Sequence, residues 1–166
     1  ATALLAAKGY SVAAATGRAE THDYLKELGA GTLVDRAELA EPPSRPLNKE
    51  RFQAAIDNVA GPTLANLLTQ ISYGGSVAAV GLAGGNDVST TVLPFLLRGV
   101  SLLGIDSVMC PADRRAKVWS MIADTLPMGK LDSISHSHGF DALPALGKAI
   151  LKGEVRGRAV VTVGGE

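Results

Sequence analysis

Short apolar runs alternate with segments of helical spacing along almost the whole chain. Ala1–Ala7 has good helix propensity and stops at Lys8-Gly9. Ser11–Ala15 reads as a short buried strand, although its alanines give it weak strand propensity. Thr21–Leu28 reads as a helix, with Thr21 as its cap, Tyr24, Leu25 and Leu28 on one face, and Gly29 as its stop. Thr32–Val34 is a brief strand, and residues 41–46 form a proline-rich surface loop. Phe52–Val59 holds the next strand, ending at Asp57, and Pro62–Ile71 is a helix with Leu64, Leu67, Leu68 and Ile71 at helical spacing. Tyr73-Gly74-Gly75 reads as a turn, Ser76–Val80 as a buried strand and residues 82–86 as a flexible loop. Val92–Leu97 is a short helix and Ser101–Ile105 another strand. Pro111–Leu126 is predicted as a longer helix with Trp119, Ile122, Ala123 and Leu126 facing inward. A second amphipathic helix, Phe140–Leu151, and a strand, Ala159–Val163, close the chain. Strands alternating with helices across short loops imply an α/β fold built on a doubly wound, mostly parallel sheet.

The chain has 166 residues, enough for one domain with its own core. Sixteen basic and sixteen acidic residues give zero formal charge, which argues against a nucleic-acid partner. No apolar run reaches the ~18 residues of a membrane span. The first residues lack a basic leader, so no signal peptide is expected. Cys110 is the sole cysteine, so no disulfide forms within the chain, and a cytoplasmic setting is expected.

In an open parallel sheet, ligands gather beyond the carboxyl ends of the strands, and four segments fall there. Thr16-Gly17-Arg18 ends the strand at which a dinucleotide-binding βαβ unit reads the adenosine ribose. An acid there accepts from the 2′-hydroxyl of NAD, whereas a basic residue accommodates the 2′-phosphate of NADP. This chain has Arg18 and no acid. A solvated arginine is the plain alternative, but a cation before a helix is unfavourable unless an anion joins it. Asp57 suits a catalytic carboxylate less well than a residue that satisfies nearby backbone N–H groups. Gly81-Leu82-Ala83-Gly84-Gly85 lets a flat ring approach the backbone, or is simply a mobile loop. Ile105-Asp106-Ser107 offers hydrogen bonds to a carboxamide, or is an ordinary turn.

Elsewhere the chemistry is sparse. His136 and His138 share a face if their segment is a strand, but no Cys/His cluster supplies a third ligand, so no metal is expected. His22 reads as a surface residue and Cys110 as a small buried one. A Gly-x-Ser-x-Gly elbow and a P-loop are both missing from the sequence.

Taken together, Thr16-Gly17-Arg18, Thr21-His22, Tyr24-Leu25, Leu28-Gly29-Ala30, Ala55-Ile56-Asp57-x-Val59, Tyr73-Gly74-Gly75 and Gly81–Gly85 form a recognisable series. Asp106-Ser107-Val108-Met109, Arg114-Arg115 and Gly157-Arg158 extend it to the end of the chain. The series resembles the zinc-free, quinone-oxidoreductase-like branch of the medium-chain dehydrogenases/reductases, near the NADPH-dependent acryloyl-CoA reductases. Members of that branch run to about double this length. The resemblance therefore implies the C-terminal half of such a protein, with a Rossmann-type sheet lacking its first strand. It implies an NADPH-binding domain over residues 1–130 and, over 131–166, a segment returning to a GroES-like catalytic domain.

By the same resemblance, Thr16, Gly17 and Arg18 bind the 2′-phosphate of NADPH. Gly81 and Leu82 lie beside the nicotinamide, and the backbone of Ile105 and Ser107 holds its carboxamide. The family's usual serine is Thr16 here, which keeps the hydroxyl. The implied enzyme is an NADPH-dependent oxidoreductase of the alcohol dehydrogenase superfamily. It reduces a small-molecule substrate, either an activated alkene such as an acryloyl-CoA-like thioester or a quinone. Its catalytic residues are not assigned, and the 166-residue segment alone is expected to be inactive. A homodimer through the edge of the Rossmann sheet is expected. The competing class is a non-catalytic nucleotide-sensing or dimerisation domain; a Rossmann-like methyltransferase fits less well, because it would read the ribose with an acid.

Overall fold

In the computed structural model, which describes residues 1–164, every strand pairing is parallel. The first βα units are α1 (Thr2–Ala7), β1 (Val12–Thr16), α2 (His22–Glu27), β2 (Ala30–Asp35) and α3 (Arg36–Ala40). The middle of the chain supplies β3 (Phe52–Asp57), α4 (Gly61–Leu68), β4 (Ile71–Ala79), α5 (Leu93–Arg98) and β5 (Ser101–Gly104). The remainder is α6 (Ala112–Thr125), α7 (Met128–Ile134), β6 (Ser135–His138), α8 (Leu143–Leu151) and β7 (Arg158–Val161).

The α/β class holds, but the strands form three separate sheets: β1-β2, β3-β4-β5 and β6-β7. The core lies in the middle one. Leu64, Leu67 and Leu68 of α4 pack with Ile71, Val77 and Val100, and Phe52, Ala55 and Phe95 close the cluster. The leucine spacing of α4 is what points all three at the sheet.

Several local expectations are corrected. Thr21 does not cap α2 through its side chain. Its backbone is already helical, and its hydroxyl donates back to the Arg18 carbonyl at 2.7 Å. Helix α4 ends at Leu68, and Ile71 already belongs to β4. Tyr73-Gly74-Gly75 lies inside that strand instead of forming a turn. Gly74 takes φ +70° there, and a Cβ on Gly75 would stand 2.4 Å from the Gln53 carbonyl, so the glycines absorb an irregularity in register without breaking the strand. Helix α3 was not expected; Asp35 caps it by accepting from the Ala37 N–H at 2.8 Å. Helix α7 was missed as well. The stripe on α6 does not face a core: the helix has no buried residue and Trp119 is 62% exposed, with only a slight contact to α1.

A polar cluster ties the loop before β3 to the core. Asn66 Nδ2 donates to the Glu38 and Glu41 carbonyls, and Gln70 Nε2 donates to Asn66 Oδ1 at 2.9 Å. Arg98 joins three segments. Its guanidinium donates to the Thr69 carbonyl at 2.8 Å and the Asn48 carbonyl at 2.7 Å, and it pairs with Glu50 at 3.4 Å. Arg98→Ala leaves those carbonyls without their charged donor, so it is expected to cost about 2–3 kcal/mol of stability. A urea midpoint for the variant equal to the parent's would show that these bonds contribute nothing net.

Candidate functional site

Strand β1 hands the chain to a tight turn at Thr16-Gly17-Arg18. The Arg18 N–H donates to Thr16 Oγ1 at 3.1 Å, and Thr16 and Thr21 hydroxyls lie 3.0 Å apart. Because the Thr21 proton is engaged by the Arg18 carbonyl, Thr16 is the donor to Thr21. The two hydroxyls thus close a ring of bonds that fixes the backbone at Arg18. The Arg18 side chain leaves this turn exposed, and its Nη1 donates to the Gly153 carbonyl. A guanidinium has five N–H donors, so one such bond leaves others to meet a ligand.

A second guanidinium, that of Arg36, lies against Gly17 of the same turn, and the sequence pattern alone does not single it out. Thr16 is in register with Asp35, so Arg36 emerges next to this turn. Its Nε lies 3.7 Å from where a Cβ on Gly17 would stand. A Cβ here would stand at ordinary contact distance from Arg36, so the glycine is not forced by the arginine. When two adjacent parallel strands end in register, the residue after each lies on the same rim.

The other predicted residues lie on the carboxyl rim of the three-stranded sheet, where Asp57, Ala79 and Gly104 share one register line. The Val80 N–H donates to the Asp57 carbonyl at 2.8 Å, and the Ile105 N–H to the Ala79 carbonyl at 3.0 Å. The Gly81–Gly85 loop rests on the turn after β3. The Gly84 N–H donates to the Val59 carbonyl at 2.7 Å, and a Cβ on Gly81 would meet the Asn58 carbonyl at 2.8 Å. Leu82 is exposed on this loop. In the neighbouring loop, Asp106 Oδ1 accepts from the Val108 and Met109 N–H groups at 2.9 and 3.0 Å, and Arg115 donates to the Ser107 carbonyl. Gly81, Leu82, Ile105 and Ser107 are therefore gathered at one sheet end. Thr16, Gly17 and Arg18 stand at the corresponding end of the other sheet.

His136 and His138 do lie on a strand, β6, paired with Ala159 and Val161. Among the described residues no three His, Cys, Asp or Glu side chains converge to hold a metal ion. The donor set described does not fit a zinc site, and no step is assigned to one. Among those residues, too, no helix is long and apolar enough to cross a membrane. An open cleft of about 420 Å³ lies elsewhere, lined by Glu38, Asn48, Arg51, Asn66 and their neighbours, and contains none of the predicted site residues.

The sequence profile of the zinc-binding dehydrogenase family matches residues 1–124. The chain is 55% identical over 163 residues to the acrylyl-CoA reductase AcuI of Ruegeria pomeroyi, covering 98% of this chain and 49% of that protein. The crystal structure of the yhdH oxidoreductase from Salmonella enterica in complex with NADP superimposes with a TM-score of 0.94 at 45% identity, covering 98% of this chain and 50% of that one. The Bacillus subtilis protein yhfP, crystallised with NAD bound, gives 0.91 at 44% identity, again with 98% and 50% coverage. The shared fold is the Rossmann-type nucleotide-binding domain of medium-chain dehydrogenases. The chain spans about half the length of the curated relatives it matches. On the match of sequence and fold, this chain belongs to the zinc-binding dehydrogenase family.

Proposed function

We propose that this chain is the cofactor-binding portion of an NADPH-dependent oxidoreductase that reduces an activated alkene, such as an acryloyl-CoA-like thioester, or a quinone. The observation that carries the reading is the turn after β1, with Arg18 on it, Arg36 lying against its Gly17, and no acid at the end of β1. Two cations in that place suit a phosphate better than a free ribose hydroxyl. Thr16 holds the turn, Gly17 opens it, and Arg18 with Arg36 grips the 2′-phosphate. At the other sheet end, Gly81 and Leu82 lie along the nicotinamide, and Leu82 shields its face from water. The backbone of Ile105 and Ser107 orients the carboxamide. Bound there, NADPH supplies a hydride to the β-carbon of the conjugated alkene or to the quinone.

Residues 1–130 form the cofactor domain in this reading, and residues 131–166 belong to the catalytic domain. The outer edge of β5, with Leu102 and Leu103 exposed, suits a second copy of the chain and supports a homodimer. A cytoplasmic setting rests on the single cysteine.

The test is NADPH oxidation with acryloyl-CoA and with a quinone, by a protein of the relatives' length and by the 166-residue chain alone. The longer protein is expected to turn over and the isolated chain is not. Appreciable turnover by the isolated chain would contradict the division of labour. NADPH binding by the longer protein with no reduction of either substrate would favour the nucleotide-sensing alternative.

A further inference from the structure

We propose that Asp57 is a positioning residue for the nicotinamide side of the site, acting through the turn that follows β3. The proposal rests on the reading of the Gly81–Gly85 loop as the wall beside the nicotinamide.

Asp57 is 3% exposed, and its Oδ2 accepts the Ala60 N–H at 2.8 Å. That bond closes the turn Asp57–Ala60. Ala60 sits at φ +59°, ψ −153°, a conformation that side-chain-bearing residues rarely adopt and that persists only where its surroundings impose it. The buried carboxylate supplies that constraint. A charged acceptor binds an N–H more firmly than a neutral one does.

The turn held in this way presents two carbonyls to the loop. The Asn58 carbonyl accepts from Ala83 N–H at 3.3 Å, and the Val59 carbonyl accepts from Gly84 N–H at 2.7 Å. The fit is close on both sides. A Cβ on Gly84 would stand 2.8 Å from Val59 Cγ1, and one on Gly61 would stand 3.0 Å from the Gly84 carbonyl. The loop therefore takes its place from the turn, and the turn takes its shape from Asp57. The apolar core beneath is built from α4, β4 and Val100 and does not include this carboxylate. Loss of the bond is expected to move the loop and leave the core and the Thr16-Gly17-Arg18 end in place.

The experiment uses the protein of full length and reads the two ends of the cofactor separately. Relative to the parent, Asp57→Ala is expected to lower kcat about 10- to 100-fold and to shift the fluorescence of bound NADPH, with affinity for 2′,5′-ADP held within about twofold. Asp57→Asn keeps an oxygen to accept the Ala60 N–H and is expected to recover kcat to within about threefold of the parent. Parental kcat and fluorescence in Asp57→Ala would overturn the proposal. So would an equal loss of 2′,5′-ADP binding, which marks general damage, or an Asp57→Asn variant as impaired as Asp57→Ala. Should Asp57→Ala fail to fold, Gly84→Ala separates loop from turn without touching the carboxylate. It is expected to give the same split between kcat and 2′,5′-ADP, and parental kcat there would overturn the proposal. Leu82→Ala tests the underlying reading. Unchanged NADPH fluorescence in that variant removes the nicotinamide from this loop, whereas a shift there beside a parental Asp57→Ala removes the positioning role alone.

Discussion

Leu68→Ala is expected to lower the free energy of unfolding by about 3–5 kcal/mol. Leu68 is fully buried at the last turn of α4, and its neighbours are Leu64, Leu67, Ile71, Val77 and Val100. The cost of such a truncation depends on how far the surroundings collapse into the space left behind. Here they are held apart. Thr69 Oγ1 donates to the Asn66 carbonyl at 2.7 Å, Gln70 is bonded to Asn66, and Arg98 anchors the Thr69 carbonyl from the far side. The backbone after Leu68 cannot slide inward without breaking those bonds, which places the variant in the upper part of the range. Leu68→Met keeps the volume and should cost less than about 1.5 kcal/mol. Leu97→Ala, at a site 60% exposed, should fall within about 0.5 kcal/mol of the parent. Urea unfolding of the three variants checks the order. A Leu68→Ala loss below about 1 kcal/mol would show that the α4–β4 contact is not the centre of the fold.

That core was legible in the sequence because its signal is local. The leucines of α4 lie at helical spacing, and the alternation of runs and turns marked β1, β3 and β5 to within a residue or two. What the sequence hid was not local. Tyr73-Gly74-Gly75 carries the composition of a turn, yet it forms the irregular stretch of β4 between the Phe52–Ile71 and Ala54–Ser76 pairs, and only the partner strand reveals that. The Trp119 stripe correctly announced a helix but not what would cover it, since periodicity specifies a face and not its partner. The polar cluster around Asn66 and Arg98 joins residues up to 50 positions apart and leaves no motif. At the site, Arg18 is legible because it completes the Thr16-Gly17-Arg18 stretch after β1. Arg36 follows β2 directly, but nothing local says that β1 and β2 end in register, so its place on the same rim is hidden.

Removing both rim guanidinia should abolish the preference for NADPH. A hydrogen bond to a charged group is worth about 1.5–3 kcal/mol, so Arg18→Ala alone should weaken NADPH by one to two orders of magnitude. Arg36→Ala should weaken it by a similar or smaller factor, since its guanidinium approaches Gly17 from the side. The two groups would share one phosphate, so their losses need not add. The double variant is therefore expected to bind NADPH about a hundredfold to a thousandfold more weakly. NADH has no 2′-phosphate and should bind every variant within about twofold of the parent. Titration of both cofactors against the four proteins of the cycle decides the matter. Equal losses for NADPH and NADH would remove the phosphate from this rim. An Arg36→Ala variant identical to the parent would leave Arg18 as the lone reader. Arg18 also holds the Gly153 carbonyl, which lies between α8 and β7. Arg18→Ala therefore loosens that contact as well, and Arg18→Lys serves as the control because it keeps the charge while losing the planar fork. If Arg18→Lys keeps most of the NADPH preference, charge at this turn carries selectivity. If it loses as much as alanine, the fork geometry does.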